Sequence, residues 1–146
     1  MSRIRGDLST FGGLITIPAP RVQVFCHIPR LAIGFQVDFM IDSGACGTCL
    51  NGGYALGLQR HMRGNSLYTS MGIGGQCSYY KEQAVLVFTD TSGQQLARQV
   101  ELGVQQIQQI PNPQILRTPC LLGRDILSEF EFRYDHQNGH VELIVP

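Results

Sequence analysis

Residues 35–41 place Phe35, Val37, Phe39 and Ile41 on one face and Gln36, Asp38 and Met40 on the other. A period of two marks a half-buried strand, because successive side chains of an extended chain point to opposite sides. This strand runs without a break into Asp42-Ser43-Gly44-Ala45. An acid therefore emerges at the end of an apolar strand, where burying an unpaired charge is costly and something must hold it.

The rest of the chain repeats the strand pattern. A short apolar run at 14–17 ends at Pro18 and Pro20, and residues 21–28 alternate with Val22, Val24, Cys26 and Ile28 on one side. Residues 66–71 and 76–80 read as two arms around Gly72-Ile73-Gly74-Gly75, a turn in which glycine supplies positive φ and little bulk. Residues 83–88 form another strand, Asp90-Thr91-Ser92-Gly93 turns the chain, and 96–104 return. Residues 107–119 carry prolines and no period, as in a long surface connection, before the short buried strand Cys120-Leu121-Leu122.

One helix is predicted after Gly123, with Asp125 in its first turn, where a negative charge suits the helix dipole, and Ile126, Leu127 and Phe130 on one face. Phe132 and Tyr134 restore strand alternation, Asn138-Gly139 turns, and Val141, Leu143 and Val145 return. Seventeen glycines and seven prolines among 146 residues agree with a turn-rich, mostly-β chain. The expected organisation is an N-terminal arm at 1–20, flexible or at an interface, and one domain at 21–146.

Charge and cysteine content narrow the class. The formal net charge is zero and no basic stripe occurs, which gives no footprint for nucleic acid or an anionic membrane surface. Arg30, Gln36, Asp38 and Asp42 interrupt the longest apolar stretches well short of a membrane span, and residues 1–10 lack the apolar centre of a secretory signal. Five cysteines, an odd number, suit reduced thiols better than a secreted disulfide framework. The expected location is cytoplasmic.

Three segments, in order, resemble the retropepsin (retroviral-type) aspartic proteases. Residues 37–45 are similar to that family's apolar strand leading into Asp-Thr/Ser-Gly-Ala. Gly72-Ile73-Gly74-Gly75 is similar to its flap tip, and Leu121-Leu122-Gly123-Arg124-Asp125-Ile126-Leu127 to the segment that opens its late helix. Each is weak alone; together, at these separations, they are strong. The resemblance implies an acid-protease barrel with a glycine-rich flap hairpin and one late helix, carrying one half-site per chain.

It also implies roles. Asp42 is the catalytic acid, supported by Ser43, Gly44 and Ala45. Gly72, Ile73, Gly74 and Gly75 form the substrate-covering flap, and Leu122, Gly123, Arg124 and Asp125 are structural near the site. Ser43 is expected to hydrogen-bond across a dimer, and Ile41, Leu121 and Leu122 to wall the acids. Amide hydrolysis without a metal needs a base to activate water and an acid to protonate the products. Two carboxyl groups a few ångströms apart supply both, because they cannot both ionise. One such motif per chain requires a two-fold homodimer acting on an extended peptide or protein substrate, with no cofactor and no metal.

Asp90-Thr91-Ser92-Gly93 is not a second copy of the motif, because it has an extra residue before its glycine and no apolar segment after it; it reads as a hairpin turn. Many retroviral enzymes have an acid after Asp-Thr/Ser-Gly-Ala that pairs with the late arginine. Here that position is Cys46, so Arg124 must find another partner. Cys46-Gly47-Thr48-Cys49 has the form of a thiol redox pair, but in a mostly-β setting rather than the alternating β and α of thioredoxin-like proteins. His136 and His140 are read as solvated hairpin residues. Two alternatives to an endopeptidase stay open: a catalytically inactive retropepsin-like dimerisation or peptide-binding module, and a thiol redox protein using Cys46 and Cys49.

Overall fold

The strongest alternation in the sequence, at residues 22–28 and 35–41, becomes the central antiparallel pair of the protein. The computed structural model describes residues 1–72, 75–108 and 111–146. In chain order the first strands are β1 (Arg3–Arg5), β2 (Asp7–Ser9), β3 (Ala19–Ile28), β4 (Ile33–Ile41) and β5 (Cys49–Leu50). Helix α1 (Gly52–Leu58) follows, then β6 (Leu67–Gly72), β7 (Gly75–Thr89) and β8 (Gln95–Gln105). The chain closes with α2 (Pro113–Leu116), β9 (Cys120–Leu122), α3 (Arg124–Leu127), β10 (Glu131–Asp135) and β11 (His140–Ile144).

β3 and β4 pair from Arg21 opposite Met40 to Ile28 opposite Ile33. Their inward residues Val22, Val24, Cys26, Ile28, Val37, Phe39 and Ile41 are all buried. The larger sheet has the order β2-β3-β4-β9-β5-β8-β7-β6, and β3 also pairs with β7, so the ladder returns on itself around the core. Phe39 and Phe88 are fully buried within it, and Phe88 meets Phe130 at a centroid distance of 5.2 Å. A second sheet, β1-β11-β10, carries the C-terminal hairpin, with Val141 and Leu143 turned inward. The fold is mostly β with a late helix, as expected; that helix is a single turn.

Three features differ from the expectation. Residues 1–20, expected as an arm, supply β1 and β2, which pair with β11 and β3, and Ile4 is 2% exposed. The strand expected at 83–88 continues back to Gly75. Its inner positions run Glu82, Ala84, Leu86, Phe88, and the buried Glu82 breaks the apolar pattern by which a strand is recognised. Arg30 satisfies that carboxylate at 2.9 Å, so the charge is held by an ion pair rather than excluded. Helix α1 lies in a segment for which no element was predicted, and α2 adds one turn to the 107–119 connection.

At the turn between β7 and β8, Asp90 Oδ1 accepts hydrogen bonds from Ser92 N, Ser92 Oγ and Gln94 N, led by the Ser92 hydroxyl in holding its carboxyl below the usual range. This is the hairpin turn read from the sequence. Among the described residues no helix is long and apolar enough to cross a membrane.

Burial of Ile4 gives the N-terminal strand a measurable weight. Ile4→Ala should destabilise the fold by about 2–5 kcal/mol, read as a lower urea midpoint at unchanged slope. A change near zero would mean the segment is a loosely attached arm.

Candidate active site

The site is positioned by two strands far apart in sequence. β4 and β9 run parallel, with Phe39 opposite Cys120, Met40 opposite Leu121 and Ile41 opposite Leu122. Asp42 N extends this ladder by donating to Leu122 O at 3.0 Å. The end of the apolar strand and the start of α3 are thereby brought side by side, and Asp42 leaves the sheet next to Gly123.

The loop after Asp42 is folded on the acid. Gly44 N donates to Asp42 Oδ1 at 2.9 Å, and Ala45 N donates to the Asp42 backbone carbonyl at 3.1 Å. A Cβ on Gly44 would stand 3.2 Å from Oδ1, a close approach that glycine relieves. Among the described residues no hydrogen bond reaches Asp42 Oδ2, and Oδ1 takes a single backbone donor where Asp90 Oδ1 takes two backbone donors and a hydroxyl. Ser43 is exposed, and among the described residues its hydroxyl has no partner.

Gly123 is the point of closest contact between α3 and the loop. A Cβ there would lie 2.5 Å from Gly47 O and 3.0 Å from Ala45 O, so any side chain would push the loop away. Across this contact Arg124 N donates to Ala45 O at 2.9 Å and Asp125 N to Cys46 O at 3.2 Å. The Asp125 carboxylate accepts from Thr48 N at 3.0 Å and from Thr48 Oγ1 at 2.7 Å, while Gly123 N donates to Thr48 Oγ1 at 3.1 Å. Asp125 is thus more than a helix-start charge: with Thr48 it clamps the far end of the Asp42 loop. The guanidinium of Arg124 donates to the Cys46 thiol at 3.0 Å, the partner it takes where no acid is present.

Asp42 opens on a cleft of about 1090 Å³. One wall is Gly44, Ala45, Cys46 and Gly47; the other is the β6–β7 hairpin, through Tyr68, Ser70, Cys77 and Tyr79. Leu121, Val100 and Ile126 supply apolar lining, and Lys81 and Glu101 stand 3.8 Å apart along it. Of the three residues expected as apolar walls, Leu121 lines the cleft, whereas Ile41 and Leu122 point into the core.

Gly72 and Gly75 pair at the hairpin's end; Ile73 and Gly74, the remainder of the expected tip, lie outside the described residues. Sequence reading missed the four hairpin residues that face the cleft. The signal was present as alternation within the two arms, 68 and 70 on one, 77 and 79 on the other.

The cysteines divide by environment. Cys46 and Cys77 are exposed; Cys26, Cys49 and Cys120 are buried. Burial pushes the Cys49 thiol up to about 11, and those of Cys26 and Cys120 to about 12. A redox pair needs two reachable thiols that ionise readily, and the second member of Cys46-Gly47-Thr48-Cys49 is neither. His136 and His140 are exposed in the C-terminal hairpin. Among the described residues no group of three His, Cys, Asp or Glu side chains is placed to hold a metal ion.

Thr48 is 1% exposed and serves the clamp as both donor and acceptor. Thr48→Val keeps the shape but leaves Gly123 N without its acceptor and takes the hydroxyl donor from Asp125 Oδ1. It should cost about 1–3 kcal/mol of stability in chemical denaturation. A neutral result would remove the clamp from this account.

No protein-family model matches the chain, and no curated protein does. Among solved structures, the chain is similar to a retropepsin-like aspartic protease from Rickettsia conorii, with a TM-score of 0.57 and 17% identity. The match covers 97% of this chain and 89% of that one. At this identity the likeness speaks for the fold alone, and it agrees with the strand-loop-helix arrangement around Asp42. The chain has a retropepsin-like fold.

Proposed function

We propose that this chain is an aspartic endopeptidase of the retropepsin class, active as a homodimer in which each copy supplies Asp42. The observation that carries the reading is the placement of Asp42. It sits at the end of a buried strand, with one oxygen fixed by Gly44 N at 2.9 Å, on a loop clamped to α3 and opening on a peptide-sized cleft.

In the dimer, two Asp42 carboxyl groups meet near the two-fold axis and hold one proton between them, since two negative charges so close repel strongly. The ionised member takes a proton from water as it attacks the peptide carbonyl; the protonated member supplies a proton to the products. Ser43, whose hydroxyl is exposed, bonds across the axis and holds the two loops together. The β6–β7 hairpin acts as a flap that closes over an extended peptide and excludes bulk water. Substrate backbone groups pair with strand edges while alternate side chains enter the cleft walls. The mechanism uses no metal or cofactor. Five free cysteines suit a reducing compartment, and we assign the chain to the cytoplasm.

Asp42→Asn tests this directly. The substitution preserves shape but removes the group that ionises. Cleavage of a peptide library should fall at least roughly a hundredfold while sedimentation still shows a dimer. Cleavage that persists in the purified variant would contradict the assignment. A wild-type protein that dimerises and binds peptides without cutting them at any pH would favour the inactive binding module.

A further inference from the structure

The hairpin side of the cleft is built from two cross-strand pairs of unequal size. Tyr68 stands directly opposite Tyr79, and Ser70 directly opposite Cys77. Because side chains alternate along a strand, all four project from the same face of the hairpin, and all four line the cleft. The pair nearer the hairpin's end is small. The next pair is large and stacked, with ring centroids 5.6 Å apart and planes at 24°.

The two tyrosines are fixed in place. A Cβ on Gly103 would collide with the Tyr68 hydroxyl and would lie 3.4 Å from Tyr79 Cδ1 and 3.3 Å from Cys49 Cβ. Both rings therefore converge on a position that only glycine leaves open. Lys81, which also lines the cleft, stands over the Tyr68 ring at 5.7 Å. On the opposite wall the cleft is lined by Ala45 and Gly47, also small. Small residues thus line the cleft on the Asp42 loop and at the Ser70–Cys77 pair, with the stacked tyrosines next along the hairpin.

We infer that the part of the cleft over the small Ser70–Cys77 pair is a recess that serves as a specificity subsite for an aromatic side chain of an extended peptide, with Tyr68 and Tyr79 as its end wall. A flat ring entering the gap would meet tyrosine at the offset or tilted geometries that aromatic pairs prefer, beyond the gain from burying its apolar area. An alanine in the same position would leave the gap unfilled. The inference rests on the protease reading only in placing an extended peptide in the cleft.

The test uses the full-length Asp42→Asn protein, so that bound peptides are not turned over, and a positional-scanning set of extended peptides read by fluorescence anisotropy. One peptide position should bind Phe, Tyr or Trp roughly tenfold or more tighter than Ala. That ratio should fall toward one in Ser70→Phe and in Cys77→Phe, where the added ring occupies the gap. The absence of any aromatic-preferring position overturns the inference, and so does an unchanged ratio in both filled variants at wild-type melting temperature. If one filled variant does not fold, the scan of the parent protein and the other variant decide. Hydrolysis of the same peptides by the wild type is scored separately. Aromatic preference without hydrolysis upholds the recess and removes the protease, whereas hydrolysis without aromatic preference does the reverse.

Discussion

The parallel pairing of β4 with β9 is the constraint on which the site depends. It joins Phe39, Met40 and Ile41 to Cys120, Leu121 and Leu122, and it ends with Asp42 N bonded to Leu122 O. Nothing local to Asp42 could set its place: the following loop is glycine-rich and exposed. Position comes instead from a buried ladder whose inward side chains, Phe39, Ile41 and Leu122, are almost wholly removed from water. Hydrophobic burial thereby fixes the location of a polar group, and the acid can sit at the sheet's end without being buried itself.

The second requirement is that the loop leaving Asp42 should return to the same place each time. Gly123 permits backbone to approach backbone, and Asp125 with Thr48 ties the contact through charge-assisted hydrogen bonds. Such preorganisation matters for any chemistry at Asp42, since a displacement of an ångström is enough to weaken it. Arg124 and Cys46 sit on the outer side of the same junction. Cys46 there puts a small thiol rather than a carboxylate on the cleft wall.

Much of this arrangement was legible because it is written in period-two alternation. Residues 22–28 and 35–41 gave their strands and inward faces from sequence alone, and the C-terminal hairpin followed from alternation around Asn138-Gly139. The elements that escaped did so for physical reasons. Helix α1 contains Gly52, Gly53 and Gly57, residues of low helix propensity. It is held by burial of Ala55 and Leu58 and by the close approach of Gly52 to Leu116 O and Thr118 O.

The long β7 was cut short because Glu82 faces inward, and its ion pair with Arg30 and the hydrogen bond from Asn65 Nδ2, both distant in sequence, make that tolerable. Within the site, Asp42 was visible as an acid at the end of an apolar strand, and the hairpin's cleft-facing residues as alternation, but the grip of Asp125 on Thr48 and the backing of the tyrosines by Gly103 were not. Both depend on contacts between elements that no local pattern encodes.

The central claim is that one acid per chain becomes half of a shared pair when two chains associate. The separation between the two Asp42 carboxyl groups in the assembled protein, measured crystallographically, tests it most directly. The account predicts a two-fold dimer with carboxyl oxygens within hydrogen-bonding distance, at about 3 Å, beneath the two β6–β7 hairpins. A protein that remains monomeric, or one that pairs with these acids on opposite sides of the assembly, would contradict it.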